Sequence, residues 1–265
     1  MLKLLFSCLF VFSTLVHAKT PSLEEMIAQM VIIGFDGTKE GDKWVDQIAK
    51  DIKREKIGGV FLSEKNIQNI TQLKKLNEYL KSNAPKELPL IVAVEHEGGD
   101  KSIFDAKKGF TEVASAYELA KNKDIVETEA LYQKLSTELS KSGVNVNFAP
   151  VLDLQPKKDI YESSKLQRSY SSYEEIVTTY AMLFINALQE QHIMPVVKYF
   201  PTSGSHLWNQ FSTEEDVTSS WRFEQLKPYY DLIAYKKIDA ILMSHVIHKE
   251  IDAKNPMLFS RLLSP

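Results

Sequence analysis

Residues 195–211 read PVVKYFPTSGSHLWNQF: an apolar run that meets Lys198 and then opens into a loop of hydroxyl side chains holding one histidine, His206. An apolar stretch without alternation is what a strand covered on both faces requires, and such strands belong to parallel sheets. The polar groups then fall at the strand's carboxyl end. The same transition recurs along the chain. PLIVAVE (89–95) runs into Glu95, His96 and Glu97, GVNVNFAP (143–150) is followed by Asp153, and DAILMSHV (239–246) closes on Ser244 and His245. Two further apolar runs, VIIGF (31–35) and GGVFL (58–62), precede them.

Helical patterns separate these runs. SLEEMIAQM opens with Ser22 and Glu25 at capping-box spacing. An amphipathic helix follows around Trp44, Ile48 and Ile52, then one from about Thr71 to Leu80, then a polar helical region. In residues 171–191, behind a Ser and a Glu at capping distance, Tyr173, Ile176, Val177, Tyr180, Phe184, Ala187 and Leu188 share one face, and a last helix covers Phe223 to Tyr235. Strands alternating with crossover helices define an α/β fold. Polar groups at the carboxyl ends of many strands fit the mouth of a (β/α)8 TIM-type barrel better than a single crevice. The runs number about six where closure needs eight. The expectation is a barrel incomplete at its C-terminus.

Composition sets the class. The chain has 265 residues, 44% hydrophobic and 25% charged, with a formal net charge of −3. No basic stripe is dense enough to follow a phosphate backbone, which argues against nucleic-acid binding. Lys3, the apolar run Leu4–Val16 and the small-residue site ending at Ala18 read as a signal peptide over 1–18, leaving 19–265 as one barrel domain. The single cysteine, Cys8, lies in that leader, so the mature chain holds no thiol for disulfides. The reading is an exported, periplasmic protein with no membrane contact after cleavage.

The ordered set EEMIAQMVIIGF, IGGVFL, PLIVAVEHEGGD, GVNVNFAPVLDL, RSYSS, VVKYFPTSG and MSHV resembles family 3 glycoside hydrolases, in particular single-domain β-N-acetylglucosaminidases that process peptidoglycan fragments. The similarity runs over nearly the whole mature chain. It implies a saccharide containing N-acetylglucosamine as partner, and neither cofactor nor metal. Carried over position by position, it implies substrate contacts from Glu95, where the family has Asp, and from Arg168, Lys198, Tyr199, which replaces a His, and His245. Asp100 and Ile103 stand where the family has arginines.

The catalytic part departs further from the family. A retaining glycosidase needs a nucleophile and an acid/base on opposite sides of the anomeric carbon. The family's Asp-Ser/Thr-His falls on Asn209, Gln210 and Phe211, neither end of which transfers protons, and its nucleophile strand would follow Pro265. His206 is the one substitute acid/base at hand. Three outcomes stay open: a glycosidase completed by a second polypeptide or a rearranged acid/base, a carbohydrate-binding pseudoenzyme, or the inactive product of an interrupted gene.

Competing readings attach to single residues. Arg168 has a structural alternative in pairing with Asp153, and Glu95 could be that partner instead. His245 reads as structural near the mouth as well as ligand-touching, and His248 as solvent-facing. Glu95, His96, Glu97 and His245 have metal-ligand chemistry, but their spacing matches no metal motif. Ser203, Ser205 and His206 lack a Gly-x-Ser-x-Gly elbow.

Overall fold

The structure, a computed structural model, describes residues 20–155, 167–203 and 215–261. Among them the strands are β1 (Ile32–Gly34), β2 (Gly59–Phe61), β3 (Ile91–Val94), β4 (Val146–Asn147), β5 (Met194–Phe200) and β6 (Ala240–Met243). The helices are α1 (Leu23–Gln29), α2 (Lys43–Lys53), α3 (Ile70–Ser82), α4 (Ala116–Asn122), α5 (Ile125–Lys141), α6 (Glu174–Glu190) and α7 (Lys227–Ala234). The strands lie in chain order, each parallel to the next. The described residues therefore form a six-stranded half-barrel. A closed eight-stranded barrel is not seen among them.

The two-residue period of a strand sorts side chains to two faces. Val92 and Val94 of β3 and Val197 of β5 point outward into the main core with Val45, Ile48, Leu76, Leu80, Leu135, Phe184 and Leu188 of the helices. Ala93, Val146 and Val196 point the other way, in a second cluster that reaches from Ile32 in β1 to Ala240 and Leu242 in β6. Continuing the inner face toward the carboxyl ends leads from Ala93 to Glu95, from Val196 to Lys198 and from Leu242 to Ser244. The alternation that builds the inner core thus delivers the polar residues to the mouth.

Several sequence expectations need correction. Trp44 is 56% exposed, with Lys43 over its ring. The buried stripe of α2 is Val45, Ile48, Ala49 and Ile52, and Trp44 lies off it. In α6 the buried face holds Val177, Tyr180, Ala181, Phe184, Ile185, Ala187 and Leu188, while Tyr173 is an exposed N-cap and Ile176 is exposed. The predicted helix 223–235 divides into a 3-10 turn, Phe223–Leu226, and α7, which starts next to Pro228. β4 is shorter than the apolar run suggests, although Phe148 N–H still reaches the Val94 carbonyl at 2.8 Å.

The capping box at Ser22 and Glu25 forms as expected. Behind α1 the chain passes so close to β2 that a Cβ on Gly58 would stand 2.0 Å from the Gln29 carbonyl oxygen. Backbone cannot give way as a flexible side chain does. Gly58→Ala is expected to cost about 1–3 kcal/mol by overpacking, read as a shift of the urea midpoint. An unshifted midpoint would show that α1 is not anchored there.

Candidate functional site

Two cations meet two carboxylates at the carboxyl ends of β3 and β5. Lys198 is 1% exposed and Arg168 6% exposed, burial that long cationic side chains tolerate only when paired. Arg168 donates from Nε to Glu97 Oε2 at 2.7 Å and from Nη2 to Glu97 Oε1 at 2.5 Å, a two-point contact suited to the planar guanidinium. Lys198 Nζ also pairs with Glu97 Oε1. Both cations share one oxygen of Glu95: Lys198 Nζ at 2.8 Å and Arg168 Nη2 at 3.3 Å. Arg168 further donates to the Tyr199 hydroxyl at 2.8 Å. Arg168 and Lys198 lie 5.3 and 5.4 Å from the centre of the Tyr199 ring.

Electrostatics follow from that packing. Burial alone would raise the Glu97 carboxyl, but Lys198 and Arg168 outweigh it and hold it down at about 2. Burial would lower the Arg168 guanidinium, yet its contacts with Glu97 carry it above its ordinary value. With Glu95 and Glu97 against Lys198 and Arg168 the charges balance. The two carboxylates differ in access: the Glu97 side chain is sealed in, whereas that of Glu95 is 41% exposed.

The surrounding backbone fixes these groups. The Asn147 side chain accepts from His96 N–H at 2.9 Å and donates to the His96 carbonyl at 3.0 Å, locking the peptide between Glu95 and Glu97 onto β4. The His96 ring is buried against Phe104 at 4.8 Å, with Nδ1 3.1 Å from Ser102 Oγ, and burial pushes its pKa down to about 4. Gly98 follows with φ 89°, where a Cβ would stand 2.7 Å from the Ala114 carbonyl oxygen, so the chain turns away from Glu97 only through glycine. Asp153 is buried, and its pKa is pushed up to about 6 by that burial against the hydrogen bonds it accepts.

Of the residues expected to bind substrate, Glu95, Arg168, Lys198 and Tyr199 converge. Tyr199, expected only to replace an imidazole contact, joins the cluster through its hydroxyl. His245 is exposed just past β6, and no contact links it to the cluster among the described residues. His206 and Asn209–Phe211 lie outside the described residues. The Arg168–Asp153 bridge is replaced by Arg168–Glu97, because Asp153 takes its hydrogen bonds from Thr202 and Ser203. His248 is buried rather than solvent-facing, packed edge-on against Trp221 at 5.3 Å. No three His, Cys, Asp or Glu side chains are grouped to hold a metal among the described residues.

Sequence reasoning missed Glu97 as the principal counter-charge. A signal was available: two buried cations demand two carboxylates, and Glu95 supplies only one.

Comparison with known proteins bears on this arrangement. Residues 22–264 match the glycosyl hydrolase family 3 N terminal domain. A beta-hexosaminidase of Tolumonas auensis is 32% identical over 211 residues, covering 77% of this chain and 60% of that protein. One from Xanthomonas euvesicatoria is 27% identical over 244 residues, 88% of this chain and 68% of that protein. Among solved structures, a family 3 beta-N-acetylglucosaminidase from Paenibacillus superposes with a TM-score of 0.75 at 24% identity, over 89% of this chain and 44% of that one. NagZ from Neisseria gonorrhoeae, solved with N-trifluoroacetyl-D-glucosamine, superposes with a TM-score of 0.69 at 26% identity, over 85% of this chain and 64% of that one. This chain thus spans about 60% of the length of the Tolumonas relative.

Proposed function

This chain belongs to glycosyl hydrolase family 3, and from that premise we propose that its strand ends bind a saccharide with a terminal N-acetylglucosamine, as in β-hexosaminidases. The observation that carries the reading is the asymmetry of Glu95. Both cations bind its Oε1, while Oε2, on a half-open side chain, has no partner among the described residues. A carboxylate oxygen held rigid by two buried cations and left open on the other side is a ready acceptor for a sugar hydroxyl. The Tyr199 ring beside it offers the flat apolar surface that pyranose C–H groups pack against.

Hydrolysis is a separate matter. A retaining route needs a nucleophilic carboxylate and an acid/base. Glu97 is neutralised between two cations, and Asp153 is buried. By the resemblance, Asn209 and Phe211 would stand where the family has its acid/base pair. Our reading is therefore a sugar-binding chain with little turnover of its own, exported by a signal peptide over residues 1–18 to where wall-derived saccharides occur.

Calorimetry with N-acetylglucosamine and its β-linked dimer tests this. Wild type is expected to bind at millimolar ligand, and Glu95→Gln to bind at least about tenfold more weakly, the scale of one hydrogen bond to a charged group. Absence of heat at millimolar dimer would end the binding reading. Turnover of an aryl N-acetyl-β-glucosaminide by wild type, lost in Glu95→Gln, would favour the enzymatic one.

A further inference from the structure

Asp153 has no part in the sugar site as drawn, yet it touches both of the segments that carry its cations. Its Oδ1 accepts from Thr202 Oγ1 at 2.5 Å and from Ser203 N–H at 2.8 Å, in the turn that leaves β5 a few residues past Lys198. Its backbone carbonyl accepts from Ser169 Oγ at 2.6 Å, and Ser169 adjoins Arg168. The chain just before it pairs with β5, with Leu152 N–H on the Lys198 carbonyl at 2.6 Å and Lys198 N–H on the Pro150 carbonyl at 2.9 Å. From the other side Ser244 Oγ donates to the Thr202 carbonyl at 2.6 Å. The turn's backbone is thus held by Ser244, just past β6, and its donors by the Asp153 side chain.

The second carboxyl oxygen behaves differently. Asp153 Oδ2 is buried and has no hydrogen-bond partner among the described residues. The groups whose charge or hydrogen bonds reach the carboxyl are Arg168 beside Ser169, Tyr199 in β5 and Tyr229 in α7. The Tyr229 hydroxyl is itself buried without a partner among the described residues. A proton on Oδ2 removes a buried charge and leaves Oδ1 free to keep accepting from Thr202 and Ser203. Ionisation turns both of those contacts into charge-assisted bonds, which are shorter and stronger.

We propose that Asp153 is a positioning residue that braces the Lys198 and Arg168 segments together, and that its protonation loosens the Thr202–Ser203 turn while its ionisation tightens it. The link to ligand rests on the sugar-binding reading above; the link to the turn does not. Burial places the change near pH 6, so the tight state belongs to neutral pH and the loose state to mildly acidic pH.

The test follows the Ser203 amide by nitrogen-15 NMR in the full chain across about pH 5 to 7.5, beside calorimetry with the N-acetylglucosamine dimer. In wild type the amide is expected to titrate with a midpoint of about 6, and dimer affinity to rise about threefold over the same range. In Asp153→Asn both transitions should vanish. In Thr202→Val, which removes one bond to the ionised form, the midpoint should move upward, and this variant serves if Asp153→Asn does not fold. A Ser203 amide that does not titrate, one that still titrates in Asp153→Asn, or an unmoved midpoint in Thr202→Val overturns the proposal. Dimer binding that ignores pH while the amide titrates removes the link to the cations. Absence of dimer binding at every pH, with the amide transition intact, sinks the sugar reading and leaves the brace standing.

Discussion

A Lys198→Met variant is expected to lose about 3–5 kcal/mol of folding stability, the usual result of removing one partner from a buried ion pair. Lys198 is almost fully buried and faces Glu97 and Glu95. Without it the cluster holds two carboxylates against one guanidinium, and Glu97 becomes an incompletely compensated buried charge. Its carboxyl should then rise from about 2 toward the ordinary range, because burial, the largest influence on it, loses its main opponent. The double variant Lys198→Met, Glu97→Gln restores the charge balance with Glu95 and Arg168. It should recover at least half of the loss, since a balanced apolar and polar replacement is far cheaper than an orphaned charge. Urea unfolding of both variants at neutral pH measures the difference. Equal losses in the single and double variants would mean that Lys198 contributes by packing and not by charge.

What the sequence made legible and what it hid divide along a physical line. The parallel strands could be read because buried strands are continuous apolar runs, and the mouth because Glu95, Lys198 and Ser244 extend the inner face of their strands. Arg168, Lys198 and Glu95 were legible as a site by resemblance; strand period brings Glu95 and Lys198 together, while Arg168 reaches them from the segment that precedes α6. Glu97 was obscured by its position in a Glu-His-Glu triplet, where local pattern suggests metal ligands and only charge counting across the fold suggests an ion pair. His248 was misread because it is covered by Trp221, 27 residues earlier in the chain, whose own cluster draws on Val217, Leu226, Val246 and Met257. No local periodicity reports such a cluster. Trp44 was misread for the opposite reason: a large aromatic invites burial, but the stripe spacing of α2 is set by Val45, Ile48 and Ile52.

Stability against pH should be nearly flat between about pH 4 and 6, and Asp153→Asn should abolish that plateau. Two buried groups oppose each other there. His96, lowered by burial from 6.5 to about 4, stays neutral in the folded chain while the unfolded chain binds a proton, so its contribution is present above 6.5 and is lost as pH falls toward 4. Asp153, raised by burial from 3.8 to about 6, binds its proton in the folded chain where the unfolded chain does not, so its contribution is present at low pH and is lost as pH rises from 3.8 through 6. Each spans roughly two units, on the order of 3 kcal/mol, and the signs are opposite. Below the plateau Glu97 takes over: its folded value of about 2 against 4.5 means that stability present above 4.5 is lost as acid approaches 2. With Asp153 replaced by Asn only the His96 slope remains, and unfolding free energy should climb by about 3 kcal/mol between pH 4 and 6.5. Urea midpoints taken through that range read the slope directly. A variant as flat as wild type would show that His96 and Asp153 do not titrate against each other, whereas a climb confined to Asp153→Asn would identify the buried acid as the group that masks the histidine.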